Sequence, residues 1–280
     1  MEGPIAASIP NFEIVSVIGQ GAMGTVYLAR WLGTPSPRMV ALKVFNPSFA
    51  AEGESAEQLR REARAASMLK HPNIVQGIDF GDSSGVFYFA MEYVHGRTLQ
   101  QILADEGALP ERRALGIVRP VARALHHARR TGIVHRDIKP SNILVDGSGA
   151  VKLADFGLAK EIRRGEDTLS REGKTFGTPW YMSPEQARGE ALDTRSDIYS
   201  LGVVLYRLLT GVTPYTGETV QEILSHCVED PPMDPRRDRE GISEAAAQLT
   251  LAMIQKARKR RLQTPDSVEG WIDAIIGKEG

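Results

Sequence analysis

Eight consecutive residues, His135-Arg136-Asp137-Ile138-Lys139-Pro140-Ser141-Asn142, carry most of the chemistry this sequence offers. Asp137 can accept a proton from a hydroxyl. Lys139, two residues on, can neutralise a phosphate that changes hands. Asn142, five after the aspartate, offers an amide oxygen to a metal ion. Asp155-Phe156-Gly157 then brings a second carboxylate for the same ion. A carboxylate base, a cation and two hard oxygen ligands suit phosphoryl transfer, in which a protein mainly positions groups and offsets charge. An Asp and an Asn five apart would by themselves read as a polar surface loop. The ordered octet, with the second carboxylate beyond it, argues against that reading.

Such groups need rigid neighbours. Ile133-Val134 precedes the octet and Ile143-Leu144-Val145 follows it, so it reads as a loop pinned between two short strands. Near the start, Ile14–Ile18 and Thr25–Arg30 read as strands around Gly19-Gln20-Gly21-Ala22-Met23-Gly24. This GxGxxG also marks dinucleotide folds, but there it opens a helix. Here strand residues flank it on both sides, which makes it a hairpin whose backbone amides can approach phosphates. A glycine-rich turn without a ligand is the plainer alternative. Residues 31–39 read as a loop. Lys43 falls within the apolar strand Val40–Phe45, where a lysine is more often a solvated edge charge.

Ser55–Lys70 reads as a helix, with Ser55 and Gln58 as a capping box and Leu59, Ala63, Ala66 and Leu69 on one face. Glu62 borders that face, and a buried carboxylate there needs a cation. His71 to Val75 ends the helix and starts a strand, and Val86–Met91 is a further strand. Pro110 starts a helix running to Arg130, which Pro120 should kink. Asp197–Leu209 is apolar all round and so reads as a buried helix stopped by Gly211. Thr264-Pro265 opens a last helix with Val268, Trp271, Ile272, Ile275 and Ile276 toward the core.

HRDIKPSN and DFG together resemble the eukaryotic-like Ser/Thr protein kinases, in wording closest to their bacterial members, over residues 12 to 276. The resemblance implies an α+β bilobal fold within a single domain, 1–280. Residues 12–91 would form an N-lobe of antiparallel sheet plus one helix, 92–95 a hinge, and 96–277 a mostly helical C-lobe. It implies ATP-dependent phosphorylation of Ser and Thr hydroxyls on proteins, with Mg²⁺ as cofactor and Mn²⁺ as an alternative. The catalytic residues would be Asp137, Lys139, Lys43 and Glu62, the last two forming an ion pair. Asn142 and Asp155 would hold the metal. ATP would lie against Ile18, Gly19, Gln20, Gly21, Ala22, Met23, Gly24, Val26, Ala41, Lys43, Met91, Glu92, Val94 and Leu144. Asp197 would hold the backbone of the His135-Arg136 turn, and Arg261 would pair with Glu185.

The charged segment from Glu161 to Lys174, closed by Gly177-Thr178-Pro179-Trp180-Tyr181-Met182-Ser183-Pro184-Glu185, matches a kinase activation segment. Thr168, Ser170 and Thr175 are its candidate phosphorylation sites, and Arg136 is the cation a phosphate there would meet. Lys139 and Thr178 resemble Ser/Thr kinases; tyrosine kinases usually place an arginine-containing AAR or RAA sequence in the catalytic loop. The chain departs from the family pattern at Gly77, where a bulky apolar residue is usual and a gap behind the helix is expected, and at Ser183, where alanine is common.

Composition removes other classes. A net charge of −1 gives no global field toward nucleic acid or a membrane surface. One cysteine, Cys227, permits no intrachain disulfide, which fits a reducing cytosol. No apolar run reaches the roughly 18 residues of a span, and residues 1–10 lack the features of a signal peptide. The expected location is cytoplasmic, with the cytosolic part of a larger membrane receptor as the alternative; a homodimer is compatible with either. The basic run Lys256, Arg258, Lys259, Arg260, Arg261 reads as a solvated helix end apart from Arg261. Two rivals remain. A pseudokinase would lack catalytic groups, yet every such position is filled. A small-molecule phosphotransferase would lack the Ser-Pro-Glu closure and the phosphorylatable segment.

Overall fold

The computed structural model describes residues 9–21, 23–46, 60, 63–83, 85–156 and 179–278. Its first half is a five-stranded antiparallel sheet in the order β1-β2-β3-β5-β4, built from β1 (Phe12–Gly21), β2 (Gly24–Trp31), β3 (Arg38–Phe45), β4 (Gly77–Ser83) and β5 (Val86–Glu92). β3 lies mid-sheet, and its six residues from Val40 to Phe45 are all buried. Side chains alternate across a strand. Val40, Leu42 and Val44 therefore pack on one face with Ala29 and Ala90, while Ala41 and Phe45 pack on the other with Val75, Phe87, Phe89 and Met91. Lys43 shares the Ala41 face and pairs in register with Val26 and Phe89.

Gly24 has a structural reason as well as a sequence one. Its φ is +151°, and a Cβ there would sit 2.0 Å from the Val44 carbonyl oxygen, so the β2–β3 approach itself demands glycine.

Within the expected helix Ser55–Lys70, residues 63–67 are helical, and Ser67 Oγ donates to the Ala63 carbonyl at 2.7 Å. Ser55, Gln58 and Leu59 lie outside the described residues. The gap expected at Gly77 does not exist. A Cβ on Gly77 would come within 2.8 Å of the Phe89 ring and 2.9 Å of Ser67 Oγ. Phe89 already fills the space, and the missing side chain is what lets the segment from Ser67 pack close to β4.

The strand expected after His71 begins later. Residues 73–75 instead tie the first sheet to the second: Leu153 N–H donates to the Asn73 carbonyl and Val75 N–H to the Leu153 carbonyl, each at 2.9 Å. The second sheet is three-stranded, β6 (Gly96–Thr98), β7 (Ile143–Asp146) and β8 (Val151–Leu153), in that order.

The rest is mostly helical: α1 (Leu99–Glu106), α2 (Glu111–Arg130), α3 (Pro184–Ala187), α4 (Thr194–Thr210), α5 (Val220–Glu229), α6 (Glu244–Met253) and α7 (Pro265–Lys278). α2 runs through Pro120 as one helix. α4 is buried on nearly every side and ends on Gly211, whose positive φ of 85° suits glycine. Ala114, Val118, Val121 and Leu125 of α2 join one core with α4, α6 and α7. The fold is α+β, an antiparallel-sheet N-lobe against a helical C-lobe.

The basic run is not a solvated helix end. α6 stops at Met253, so the run lies in the turn that follows. Lys256 sits over the Tyr215 ring at 3.7 Å, and Arg258 donates to the Ala191 carbonyl at 2.8 Å. Only Lys259 and Arg260 are exposed among the basic residues of that turn. Packing against tyrosines and carbonyls absorbs the charges that composition alone leaves solvated.

Candidate active site

The octet forms a loop, but the strand expected before it is absent: Ile133 and Val134 are irregular, and only the downstream side is a strand, with Pro140–Asn142 as a short 3-10 turn leading straight into β7. The loop is held from below by α4. Asp197, in the first turn of α4 and 2% exposed, accepts the backbone N–H of His135 at Oδ2 (2.8 Å) and of Arg136 at Oδ1 (2.7 Å). Burial pushes the Asp197 carboxyl above its ordinary range, while His135, Arg136 and their two N–H bonds work against that rise. Gln186 of α3 donates to the Arg136 carbonyl at 2.8 Å. These contacts hold Arg136 at φ +70°, a conformation that costs a non-glycine residue about 1–3 kcal/mol. Asp155, at φ +60°, is the other site residue bent this way.

His135 is fully buried and links the segments that carry Asp137 and Asp155. Its Nδ1 accepts the Asp137 N–H at 3.2 Å, which leaves Nε2 to donate to the Ala154 carbonyl at 2.8 Å. The Phe156 ring meets its face edge-on, with centroids 4.6 Å apart. Asp137 and Asp155 are thus set relative to one another by one imidazole and the backbone around it.

Asp137 Oδ2 lies 2.8 Å from Lys139 Nζ and 3.2 Å from Asn142 Nδ2, which also bonds the Asp137 carbonyl at 2.8 Å. Both donated bonds use the amide nitrogen of Asn142, so its Oδ1 is reserved as an acceptor. Lys43 Nζ reaches Asp155 Oδ1 at 3.0 Å. The partner expected for Lys43, Glu62, lies outside the described residues, as do Ala22, Gly157, Thr168, Ser170, Thr175 and Thr178. Among the described residues no cluster of three His, Cys, Asp or Glu could hold a metal ion. One carboxylate and one amide oxygen fit a small hard dication, which takes its remaining ligands from phosphate and water.

A cavity of 380 Å³ opens beside these groups. Ile18, Gly19, Val26, Ala41, Met91, Glu92, Val94 and Leu144 all line it, as expected. So do Asn142 and Asp155. Gln20, Gly21, Met23, Gly24 and Lys43 do not; the first four belong to the hairpin end beyond it, and Lys43 reaches the cavity only through Asp155. The strand register explains the grouping, because Val26, Ala41 and Met91 project from the same face of β2, β3 and β5. Tyr93 of the expected hinge lines it too, and Val75, Gly96, Thr98, Gln101, Ser141 and Ala154 also line the cavity though they were not expected to contact the nucleotide. Val75 and Ala154 are small apolar residues whose types carry no chemical signal. Thr98 and Gln101 form the capping box of α1, so their pattern already had a structural explanation. Glu92 is anchored at the rim by Lys152 at 2.9 Å.

Below the loop, Glu185 and Arg261 form a fully buried, bidentate pair at 2.6 and 3.1 Å, and Ser196 donates to Glu185 at 2.7 Å. Burial alone would raise the Glu185 carboxyl, but the bond and charge of Arg261, together with the Ser196 hydroxyl, bring the group below its ordinary range. Ser183 is buried too. It caps α3 reciprocally with Gln186, which accounts for a serine at that position.

Residues 12–271 match the family described as protein kinase domain. The chain is 40% identical over 274 residues to the serine/threonine-protein kinase pkn3 of Myxococcus xanthus, covering 95% of this chain and 50% of that protein. It is 38% identical over 258 residues to the serine/threonine-protein kinase PknB of Mycobacterium tuberculosis, covering 91% and 41%. The chain therefore spans half or less of the length of these curated relatives. The crystal structure of the Mycobacterium tuberculosis PknI kinase domain superposes with a TM-score of 0.77 at 28% identity, over 96% of this chain and 99% of that one.

Proposed function

Because the chain belongs to the protein kinase family, we propose that it transfers the terminal phosphoryl group of ATP to serine and threonine hydroxyls of proteins. The observation that carries this reading is the arrangement of Asp137, clamped between Lys139 and Asn142, beside a cavity that Asp155 and Asn142 also line. Members of this family use ATP and a divalent metal, typically Mg²⁺. Relatives bearing the name serine/threonine-protein kinase support the acceptor class.

The adenine ring packs between Val26 and Ala41 on one side and Leu144 on the other, with Met91 behind it. The backbone at Glu92 and Val94 offers it hydrogen bonds. Gly19 and the hairpin through Gly24 cover the phosphates, and Lys43, oriented by Glu62, fixes the α and β groups. Asn142 and Asp155 would hold Mg²⁺ or Mn²⁺, which when bound neutralises phosphate charge. Asp137 accepts a hydrogen bond from the acceptor hydroxyl and takes its proton at Oδ as the oxygen attacks phosphorus. Lys139, already within 2.8 Å of Asp137, then stabilises charge on the moving phosphoryl group.

Residues 12–91 act as the N-lobe, 92–95 as the hinge and 96–277 as the C-lobe of one domain. The domain works on the cytosolic side, alone or as part of a membrane receptor; no described helix is long and apolar enough to cross a membrane. The protein also phosphorylates its own activation segment at Thr168, Ser170 or Thr175. The test is incubation with labelled ATP and Mg²⁺ together with a panel of acceptor proteins, followed by phosphoamino-acid analysis. Phosphoserine and phosphothreonine are expected. Phosphotyrosine as the main product, or no transfer at all, overturns the reading.

A further inference from the structure

Ser141, directly before Asn142, borders a second cavity, of 610 Å³. Trp180, Arg207, Val212, Thr213 and Thr216 form much of its described wall. Three features set it apart from an ordinary surface dent. First, it adjoins the catalytic loop through Ser141, four residues after the proposed base. Second, large apolar groups face solvent there: Trp180 is 40% exposed and Val212 is 48% exposed. Exposed tryptophan beside a cleft is a common feature of contact surfaces. Third, its described lining contains one charged side chain, Arg207, and no carboxylate.

Arg207 is held, but among the described residues no carboxylate neutralises it. It lies in the last turn of α4, where a cation is favoured by the helix end. Its guanidinium donates to the hydroxyl of Tyr181 at 2.5 Å. Burial keeps the Tyr181 phenol above its ordinary value, so this partner stays neutral. Several arginines of the C-lobe sit on carboxylates, Arg195 on Asp193, Arg236 on Asp234 and Arg258 on Glu190, while Arg239 is held by the Leu109 and Leu209 carbonyls. Tyr181 and Trp180 belong to the same turn, Pro179–Tyr181, so the bond to Arg207 also fixes the aromatic wall.

We propose that this groove receives an acidic side chain of the acceptor segment. The Asp or Glu carboxylate pairs with Arg207, and apolar neighbours of the acceptor residue pack on Trp180 and Val212. Arg207 is then a specificity-determining residue of the substrate class, an inference that rests on the phosphoryl-transfer reading above. A rigid cation in a half-buried groove adds more to selectivity than an exposed pair does, because less water competes for it.

The test uses three labelled serine peptides of equal length, with glutamate, lysine or phosphoserine flanking the acceptor. Binding is read by fluorescence anisotropy with a non-hydrolysable ATP analogue and Mg²⁺, and transfer by kcat and KM. The expected result is a KM for the glutamate peptide about five- to ten-fold below that for the lysine peptide, with similar kcat. Arg207→Glu inverts the order and Arg207→Lys retains it. Because charge reversal can disturb the Tyr181 contact, Arg207→Gln is measured too, and it should make the two peptides equivalent. Equal affinities in the unmodified protein, or a glutamate preference that none of the variants alters, overturns the assignment. A phosphoserine peptide favoured more than ten-fold over the glutamate peptide also overturns it, giving the groove to already phosphorylated partners. If anisotropy shows the glutamate preference but no peptide is phosphorylated, the groove assignment stands and the phosphoryl-transfer reading falls.

Discussion

Asp197 Oδ1 accepts the backbone N–H of Arg136 at 2.7 Å, joining α4 to the catalytic loop across 61 positions of sequence. The neighbouring N–H of His135 is taken by the other oxygen of the same carboxylate. Asp197→Ala should leave two donors without this acceptor, each at about 1–3 kcal/mol when buried, and release Arg136 from its positive φ. The expected outcome is a lower denaturant midpoint and at least a ten-fold loss of transfer. Asp197→Asn keeps one acceptor and should recover part of both. Unchanged midpoints in both variants would show that α4 does not hold the loop.

Asp137 and Asp155 should separate chemistry from binding. Asp137→Asn should reduce phosphoryl transfer by about 10²-fold or more while nucleotide affinity stays near that of the unmodified protein, since Asp137 faces the acceptor. Asp155→Asn should weaken Mg²⁺-nucleotide binding as well, and it also removes the charge opposite Lys43. Single-turnover rates and nucleotide titrations distinguish the two. Near-normal turnover in both would refute the assignment.

The Glu185–Arg261 pair sets an acid limit on stability. Glu185 lies below its ordinary value of 4.5 in the folded protein, so the folded state favours its charged form. Its contribution is full above 4.5 and is lost as pH falls through the lower folded value. Glu185→Gln should flatten the loss of stability with acid. Arg261→Ala, which strands a buried carboxylate, should cost about 3–5 kcal/mol at neutral pH. Urea midpoints across acid pH read both.

Gly77 should reject a side chain despite the family habit of filling that site. Gly77→Leu meets the Phe89 ring and Ser67, and overpacking of this kind costs about 1–3 kcal/mol. Phe89→Ala in the same chain should relieve part of that cost, a coupling visible in a double-mutant cycle. Additive effects would mean the two positions do not compete for space.

Activation-segment control has a direct test as well. The triple Thr168/Ser170/Thr175 alanine variant and phosphatase-treated enzyme should both be slower on an external substrate than the untreated protein. A phosphate there adds about −1.5 to −2 charge, the anion proposed to meet Arg136. Equal initial rates in all three preparations would exclude the switch.

The grouping of Asp137, Lys139 and Asn142 was legible from order alone because these groups stand at short spacing on one loop, whereas Asp155 reaches the same cavity only across β7 and β8. The strand at Lys43, the buried helix at Asp197 and the stop at Gly211 were legible from periodicity and capping. Gly77 and the basic turn were not, whereas Ser183 answers to a local partner, the Gln186 three residues on with which it caps α3. Gly77 and the basic turn each depend on a neighbour distant in sequence: Phe89 beside Gly77, and Tyr199 and Tyr215 beneath Lys256. The same holds for Arg207. In sequence it is one more polar residue near a helix end; only packing places it in a cleft without a carboxylate, beside Trp180 and Ser141. Local chemistry is written in adjacent residues, whereas charge compensation and close packing are settled by which distant side chains share a volume.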